Sequence, residues 1–285
     1  MSQFDMTGKV AIITGSSRGI GQAIAEEMAD HGAKVVITSR NIGPCEDVAA
    51  RINAKHPGAA IAVASSLSSK ESLQAMVDTL AALHNTDHVK AGLGDYGKPG
   101  NYFERQVGRW TKQYRAAETE RMDDIERLID YLSRSIPEQT RTSIVHGDYR
   151  IDNMIFDATE PKVIAVLDWE LSTTGDPLAD FSYMMMNWVT EPEGRSGVKG
   201  LTGPDTGIPT IEQMTERYCT ATGRDGVPDL NWYFAFGLFR LASIVQGIKK
   251  RVLTGTASSA HAAEMAERVP HLAAAAWDFA GKAQR

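Results

Sequence analysis

Several things are scarce in this chain, and each scarcity excludes something. Two cysteines, Cys45 and Cys219, in 285 residues rule out a disulfide framework and a zinc site built from cysteines. There is no basic excess: 30 Lys and Arg stand against 36 Asp and Glu, for a net charge of −6. Proteins that neutralise the phosphates of nucleic acid carry the opposite imbalance, so nucleic acid is not an expected partner. Long apolar runs are missing as well. The longest stretch, 232–248, is interrupted by Arg240 and Gln246, which fits a buried helix rather than a membrane span. The opening MSQFDMTGKV has no basic segment followed by an apolar run, so no secretion signal and a cytoplasmic location are expected. What remains is ordinary globular composition, 42% apolar and 23% charged, enough for one large domain or two modest ones.

The first 78 residues alternate strand and helix. Residues 10–14 are a short β-branched run, read as a buried strand. Ile20, Ala23, Ile24 and Met28 then repeat at helical spacing over 20–31, and Gly32 closes the helix. A second strand over 34–38, a second helix over 46–55 and a third strand over 59–64 complete a βαβαβ unit with a parallel sheet. Ser68 and Glu71 form a capping box for a further helix, in which Leu73, Met76, Val77, Leu80 and Leu83 keep the apolar period. From Asn85 the pattern differs. A glycine-rich loop (Gly92, Gly94, Gly97, Gly100) leads into helical stretches over 102–117 and 122–135. Three short apolar runs follow, over 143–145, 154–156 and 163–167, and from Leu178 onward the chain reads as helices.

The loop Thr14-Gly15-Ser16-Ser17-Arg18-Gly19-Ile20-Gly21 joins the first strand to the first helix. Glycines there let backbone N–H groups approach a phosphate, and the helix N-terminus adds partial positive charge. A plain strand–helix turn would use the same glycines for close packing. The second strand ends in Thr38-Ser39-Arg40, with no carboxylate to accept from a ribose 2′-hydroxyl. Arg40 and Arg18 suit a 2′-phosphate instead, which favours NADP(H) over NAD as the cofactor. These residues resemble the N-terminal part of the short-chain dehydrogenase/reductase family, whose glycine motif is TGxxxGxG. The resemblance covers about 5–78 and implies a dinucleotide cradle of Gly15, Ser17, Arg18, Gly19, Ile20, Gly21 and Arg40. The family's catalytic Tyr-x-x-x-Lys pair is absent, because none of the eight tyrosines has a lysine four residues later.

A second motif, His146-Gly147-Asp148-Tyr149-Arg150-Ile151-Asp152-Asn153, lies between two of the short apolar runs, and the third run ends directly in Asp168-Trp169-Glu170. An aspartate in a loop, an asparagine five residues on and a second aspartate after the next strand suit phosphoryl transfer. The first carboxylate accepts the proton of an attacking hydroxyl, and the other two groups offer Mg²⁺ the hard oxygen ligands it requires beside ATP phosphates. Asp and Asn also favour turns for local reasons, so each residue has a structural alternative. This constellation resembles the aminoglycoside phosphotransferase-like branch of the protein-kinase fold, in which HGDxxxxN holds the catalytic loop. Residue by residue, the resemblance makes Asp148 the base, Asn153 and Asp168 the metal ligands, and His146 a brace for the loop. Asp176 and Asp180 in Gly175-Asp176-Pro177-Leu178-Ala179-Asp180 match residues expected to cap a helix and brace a loop. The stretches 94–110 and 167–181 look most similar to members associated with acyl-CoA dehydrogenases, which implies a hydroxyl-bearing acyl-CoA or related small metabolite as acceptor.

The expected architecture is therefore an α/β half-Rossmann unit over 1–78, followed over 79–285 by a mainly helical, protein-kinase-like C-lobe. The β-lobe that normally supplies a phosphate-pairing lysine is replaced by the half-Rossmann unit. With no fourth strand to pair it, the first strand is expected to be an uncovered apolar edge, favouring self-association. Three functional readings stay open: an ATP- and Mg²⁺-dependent phosphotransferase, an NADP-dependent oxidoreductase, and a catalytically silent nucleotide-binding fusion.

Overall fold

A computed structural model describes residues 5–39, 41–64, 70–98, 100–157, 159–192, 197–257 and 261–283. Arg40 and Ser68 lie outside the described residues. The chain divides into two compact units. The first comprises Met1–Met76, Ile151–Leu167 and Gly203–Pro209, and the second Val77–Arg150, Asp168–Thr202 and Thr210–Arg285.

In the first unit the strands β1 (Val10–Thr14), β2 (Lys34–Ser39) and β3 (Ala60–Ala64) form a parallel sheet in the order β1-β2-β3. The helices α1 (Gly19–Asp30) and α2 (Ile42–Lys55) connect them, and α3 (Lys70–Asn85) follows, its residues from Val77 onward belonging to the second unit. The register places Ala11, Val35 and Ala60 in one row and Ile12, Val36 and Ile61 in the next. Because side chains alternate across a strand, the first row joins the core with Ala25, Ala29 and Val48 from the helices. The second row faces the other way. Val10 is 70% exposed, Ile12 43% and Ile61 59%, and Ile20 on α1 is 82% exposed. Parallel sheets normally bury both faces, so this unit leaves open a face as well as an edge. The second helix also differs from the sequence reading. It starts at Ile42 rather than at 46, because Pro44 sits in its first turn, where a missing N–H costs nothing.

The uncovered β1 carries a direct prediction. Wild-type protein is expected to show concentration-dependent sedimentation at micromolar to millimolar concentrations. Ile12→Lys, which places a charge on the exposed row, is expected to shift it toward monomer. A concentration-independent monomer in both proteins would contradict this.

The segment Ile151–Leu167 contributes an antiparallel hairpin of β5 (Met154–Phe156) and β6 (Val163–Val166). In the second unit a short strand, β4 (Ser143–Val145), pairs antiparallel with β7 (Thr173–Gly175). Around them stand α4 (Tyr102–Ala117), α5 (Asp123–Arg134), α6 (Leu178–Val189), α7 (Ile211–Thr222), α8 (Asn231–Leu253), α9 (Ala262–Ala266) and α10 (Val269–Ala283). The long α8 packs against α4, α5, α6, α9 and α10. Phe103 of α4 meets Trp232, Tyr233 and Phe236 of α8 edge-on at 5.2–5.3 Å between ring centroids. Ala273, Ala276 and Ala280 are fully buried on α10, whose small side chains permit close packing. No described helix is long and apolar enough to cross a membrane.

Candidate functional site

The chain leaving β4 enters His146-Gly147-Asp148, and this loop is held from beneath by one buried carboxylate. Asp180, in the first turn of α6, accepts the main-chain N–H of His146 at 2.6 Å and that of Gly147 at 2.8 Å. Two N–H donors on one carboxylate offset the cost of burying it, and they fix the backbone that presents Asp148. His84 of α3 adds a contact, its Nε2 lying 3.5 Å from Asp180 Oδ2, while its Nδ1 bonds the Tyr218 hydroxyl at 2.7 Å. His146 is wholly buried, and its Nδ1 accepts the Asp148 N–H at 3.2 Å. That bond assigns the ring hydrogen to Nε2. The histidine braces the loop, as the sequence reading expects.

The same loop packs on the turn that carries Asp168. The His146 ring centroid is 4.7 Å from that of Trp169. Gly147 has φ +84°, and a Cβ there would come within 2.7 Å of the Leu171 carbonyl oxygen. Glycine is required twice over, by conformation and by space. Asp168 itself has φ 67° and ψ 58°, and among the described residues no other non-glycine has positive φ. An aspartate held left-handed at the end of β6 is a strained choice of residue, the kind that marks functional positions. Asn153 ends a 3₁₀ turn, Ile151–Asn153, in the first unit, where its carbonyl accepts the N–H of Leu167 at 2.8 Å. Among the described residues no group of three or more His, Cys, Asp or Glu could hold a metal.

Two residues that sequence reasoning passed over stand by this loop, Tyr183 and Arg240. Tyr183 on α6 lies near Asp148. Burial, reinforced by the Asp148 charge, pushes the Tyr183 phenol above its ordinary pKa. Arg240 on α8 donates from Nη2 to the Gly147 carbonyl at 2.8 Å. Its guanidinium lies 5.1 Å from the Tyr183 ring centroid and 5.4 Å from that of Trp110. Asp176 accepts the Leu178 N–H at 2.9 Å at the start of α6, and burial raises its carboxyl above the ordinary range. It caps the helix, again as the motif implies.

In the first unit, Gly15 and Gly19 have φ +65° and +61°, and a Cβ on Gly21 would lie 2.8 Å from the Gly15 carbonyl oxygen. Arg18, exposed, begins α1 in extended conformation, and no side chain caps that end of the helix. Ser17 is half-buried and Ile20 exposed. Ser16, not Ser17, stitches the loop to the sheet. Its hydroxyl donates to the Ile13 carbonyl and accepts the Thr38 N–H at 3.0 Å. Arg40, the other expected cradle residue, falls outside the described residues.

A loop braced by a buried aspartate and a left-handed aspartate further along the chain are the features on which a phosphoryl-transfer reading rests. Consistent with it, residues 23–214 match the profile of the phosphotransferase enzyme family, and the chain belongs to that family. It is 45% identical over 211 residues to acyl-CoA dehydrogenase family member 10 of Mus musculus, covering 73% of this chain and 20% of that protein. A crystal structure from Ralstonia eutropha JMP134, provisionally named an aminoglycoside phosphotransferase, superposes with TM-score 0.73 at 48% identity. That alignment covers 76% of this chain and 66% of the other. A shorter similarity, 39% identity over 105 residues, links the chain to dehydrogenase/reductase SDR family member 11 of Gallus gallus, covering 36% of this chain and 41% of that one. The chain thus spans about a fifth of the mouse relative's length.

Proposed function

We propose that this protein transfers the γ-phosphoryl group of ATP to a hydroxyl of a small metabolite. The observation that carries the reading is the Asp180-braced loop presenting Asp148 in a member of the phosphotransferase family. Asp148 accepts the proton of the acceptor hydroxyl as its oxygen forms a bond to phosphorus. The bond from phosphorus to the ADP oxygen breaks, and the electron pair leaves with ADP. Asn153 and Asp168 would each offer hard oxygen donors of the kind Mg²⁺ takes, and Mg²⁺ usually retains water and phosphate oxygens as well. Bound there, Mg²⁺ would offset the negative charge of the nucleotide phosphates. The mouse relative's name supports an acyl-CoA as the carrier of the hydroxyl, so a hydroxyacyl-CoA is the acceptor class. The test is ADP release from Mg·ATP in the presence of a set of hydroxyacyl-CoAs, with the phosphorylated product read by ³¹P NMR. Acceptor-dependent ADP release supports the reading, and its absence across the set removes this acceptor class.

The first unit supports a second reading, NADP(H) binding by a short-chain dehydrogenase-type cradle. Its parallel β1-β2-β3 order, the packing of Gly21 on Gly15 and the 105-residue similarity favour it. Arg18 and Arg40 would then face the 2′-phosphate. The absence of Tyr-x-x-x-Lys argues for binding without hydride transfer. NADPH fluorescence titration tests it, and an unchanged emission spectrum would remove it.

A further inference from the structure

The turn between α7 and α8 buries a charge that the phosphotransferase reading does not use. Gly223, just past the end of α7, is left-handed (φ 60°, ψ 40°), and the N–H of Arg224 turns back to the Cys219 carbonyl at 3.0 Å. Arg141 clamps the same end, donating to the Thr222 carbonyl at 2.7 Å and to the Gly223 carbonyl at 2.8 Å. Arg224 is thereby held with its Nε and Nη2 buried, and among the described residues neither nitrogen has a hydrogen-bond partner. Its charge acts on the buried Asp176, yet neither nitrogen reaches that carboxylate. An unpaired buried guanidinium edge is costly to keep.

Nε and Nη2 share the edge of a guanidinium that grips a carboxylate with two parallel bonds. Arg217 uses that edge on Asp78, at 2.6 and 2.7 Å. The corresponding edge of Arg224 has no such partner, and Arg224 lines a cavity of about 760 Å³ whose wall lies wholly in the second unit. Val189, Ile211, Val227, Leu230, Phe234 and Phe279 make much of that wall apolar. Thr215 is also in the wall, and its buried hydroxyl likewise has no partner. An apolar wall with a few unpaired polar groups is the usual construction of a small-molecule site. Glu212, Glu216, Asp225 and Asp229 line the cavity too, but they are solvent-exposed and give it an acidic rim. Asp148, Asn153, Asp168 and Asp180 are not among the lining residues.

We propose that this cavity binds a small monocarboxylate with an apolar body, the carboxylate held by Arg224 and Thr215 and the body lying against Phe234 and Phe279. The rim sets the class. A single carboxylate on the guanidinium gains a charge-assisted pair, whereas a polyphosphate would set its remaining charges against four carboxylates.

The probe is hexanoate on the full chain, with 1-hexanol and ATP as controls. Cys219 lines the cavity and is half-buried, while Cys45 is wholly buried. The rate of iodoacetamide alkylation at Cys219, read by mass spectrometry, therefore reports occupancy. Hexanoate should slow it, 1-hexanol should need a concentration about tenfold higher or more, and ATP should leave it unchanged. Arg224→Met should weaken hexanoate to the level of 1-hexanol. The alcohol and ATP comparisons are read on wild type, so they decide the matter even where the variant folds poorly. No slowing at millimolar hexanoate overturns the site. Equal protection by hexanoate and 1-hexanol overturns the role of the guanidinium, and protection by ATP overturns the monocarboxylate class.

Discussion

Asp148→Asn is expected to lower Mg·ATP-dependent phosphoryl transfer by about 10²–10⁴-fold, the range over which a positioned general base contributes. The substitution preserves shape, so its effect isolates the loss of basicity. The main-chain bonds around it, from Asp148 to His146 and from the loop to Asp180, do not involve the Asp148 side chain. The melting temperature should therefore stay within about 2 °C of wild type. ADP release and a thermal melt on the same preparation separate the possibilities. Turnover lost with the fold intact identifies the base. Turnover unchanged would place proton removal elsewhere.

The second large effect concerns Asp180. Asp180→Ala leaves the buried N–H groups of His146 and Gly147 without their acceptor. Each orphaned buried donor costs about 1–3 kcal/mol, so a loss of about 3–5 kcal/mol is expected. The neighbouring Asp176→Ala should cost much less. It orphans one N–H, that of Leu178, and removes a carboxyl that burial already holds above its ordinary pKa. Urea unfolding followed by tryptophan fluorescence reports this comparison, since all five tryptophans lie after residue 100 in the chain. Equal effects from the two substitutions would show that the brace on the Asp148 loop has no special weight.

The parts of this molecule that were legible in its sequence are those coded locally. The sheet of the first unit follows from short β-branched runs separated by one amphipathic helix each, and Ala11, Val35 and Ala60 point inward as the period demands. The HGDYRIDN loop and the aspartate after the next strand are local too, and so was the bracing role of Asp180. Three features were not legible, each for a physical reason. The strand β7 has three residues, Thr-Thr-Gly, too few for any period, and it exists because β4 pairs with it. Gly175 there admits no Cβ, which would run into the Tyr102 ring. Arg240 reaches the Gly147 carbonyl and the Tyr183 ring only through the packing of α6 and α8, and no spacing rule connects residues so far apart in the chain. Ser16 was passed over for Ser17 because a glycine-loop pattern does not say which hydroxyl turns toward the sheet.

The central claim is that the working nucleotide of this protein is Mg·ATP, bound where Asp168 can reach it. A thermal-shift measurement with Mg·ATP, and with NADPH in parallel, tests it on wild type and Asp168→Asn. Asparagine tolerates the left-handed conformation that Asp168 adopts, so the variant removes the charge and spares the backbone. Ligand that binds only the folded state raises the midpoint, by about 2.7 kcal/mol of added stability at a hundredfold excess over Kd. The account predicts a rise with Mg·ATP in wild type that is lost in Asp168→Asn. A rise with NADPH alone, and none with Mg·ATP, would contradict it and leave the glycine loop of the first unit as the functioning part.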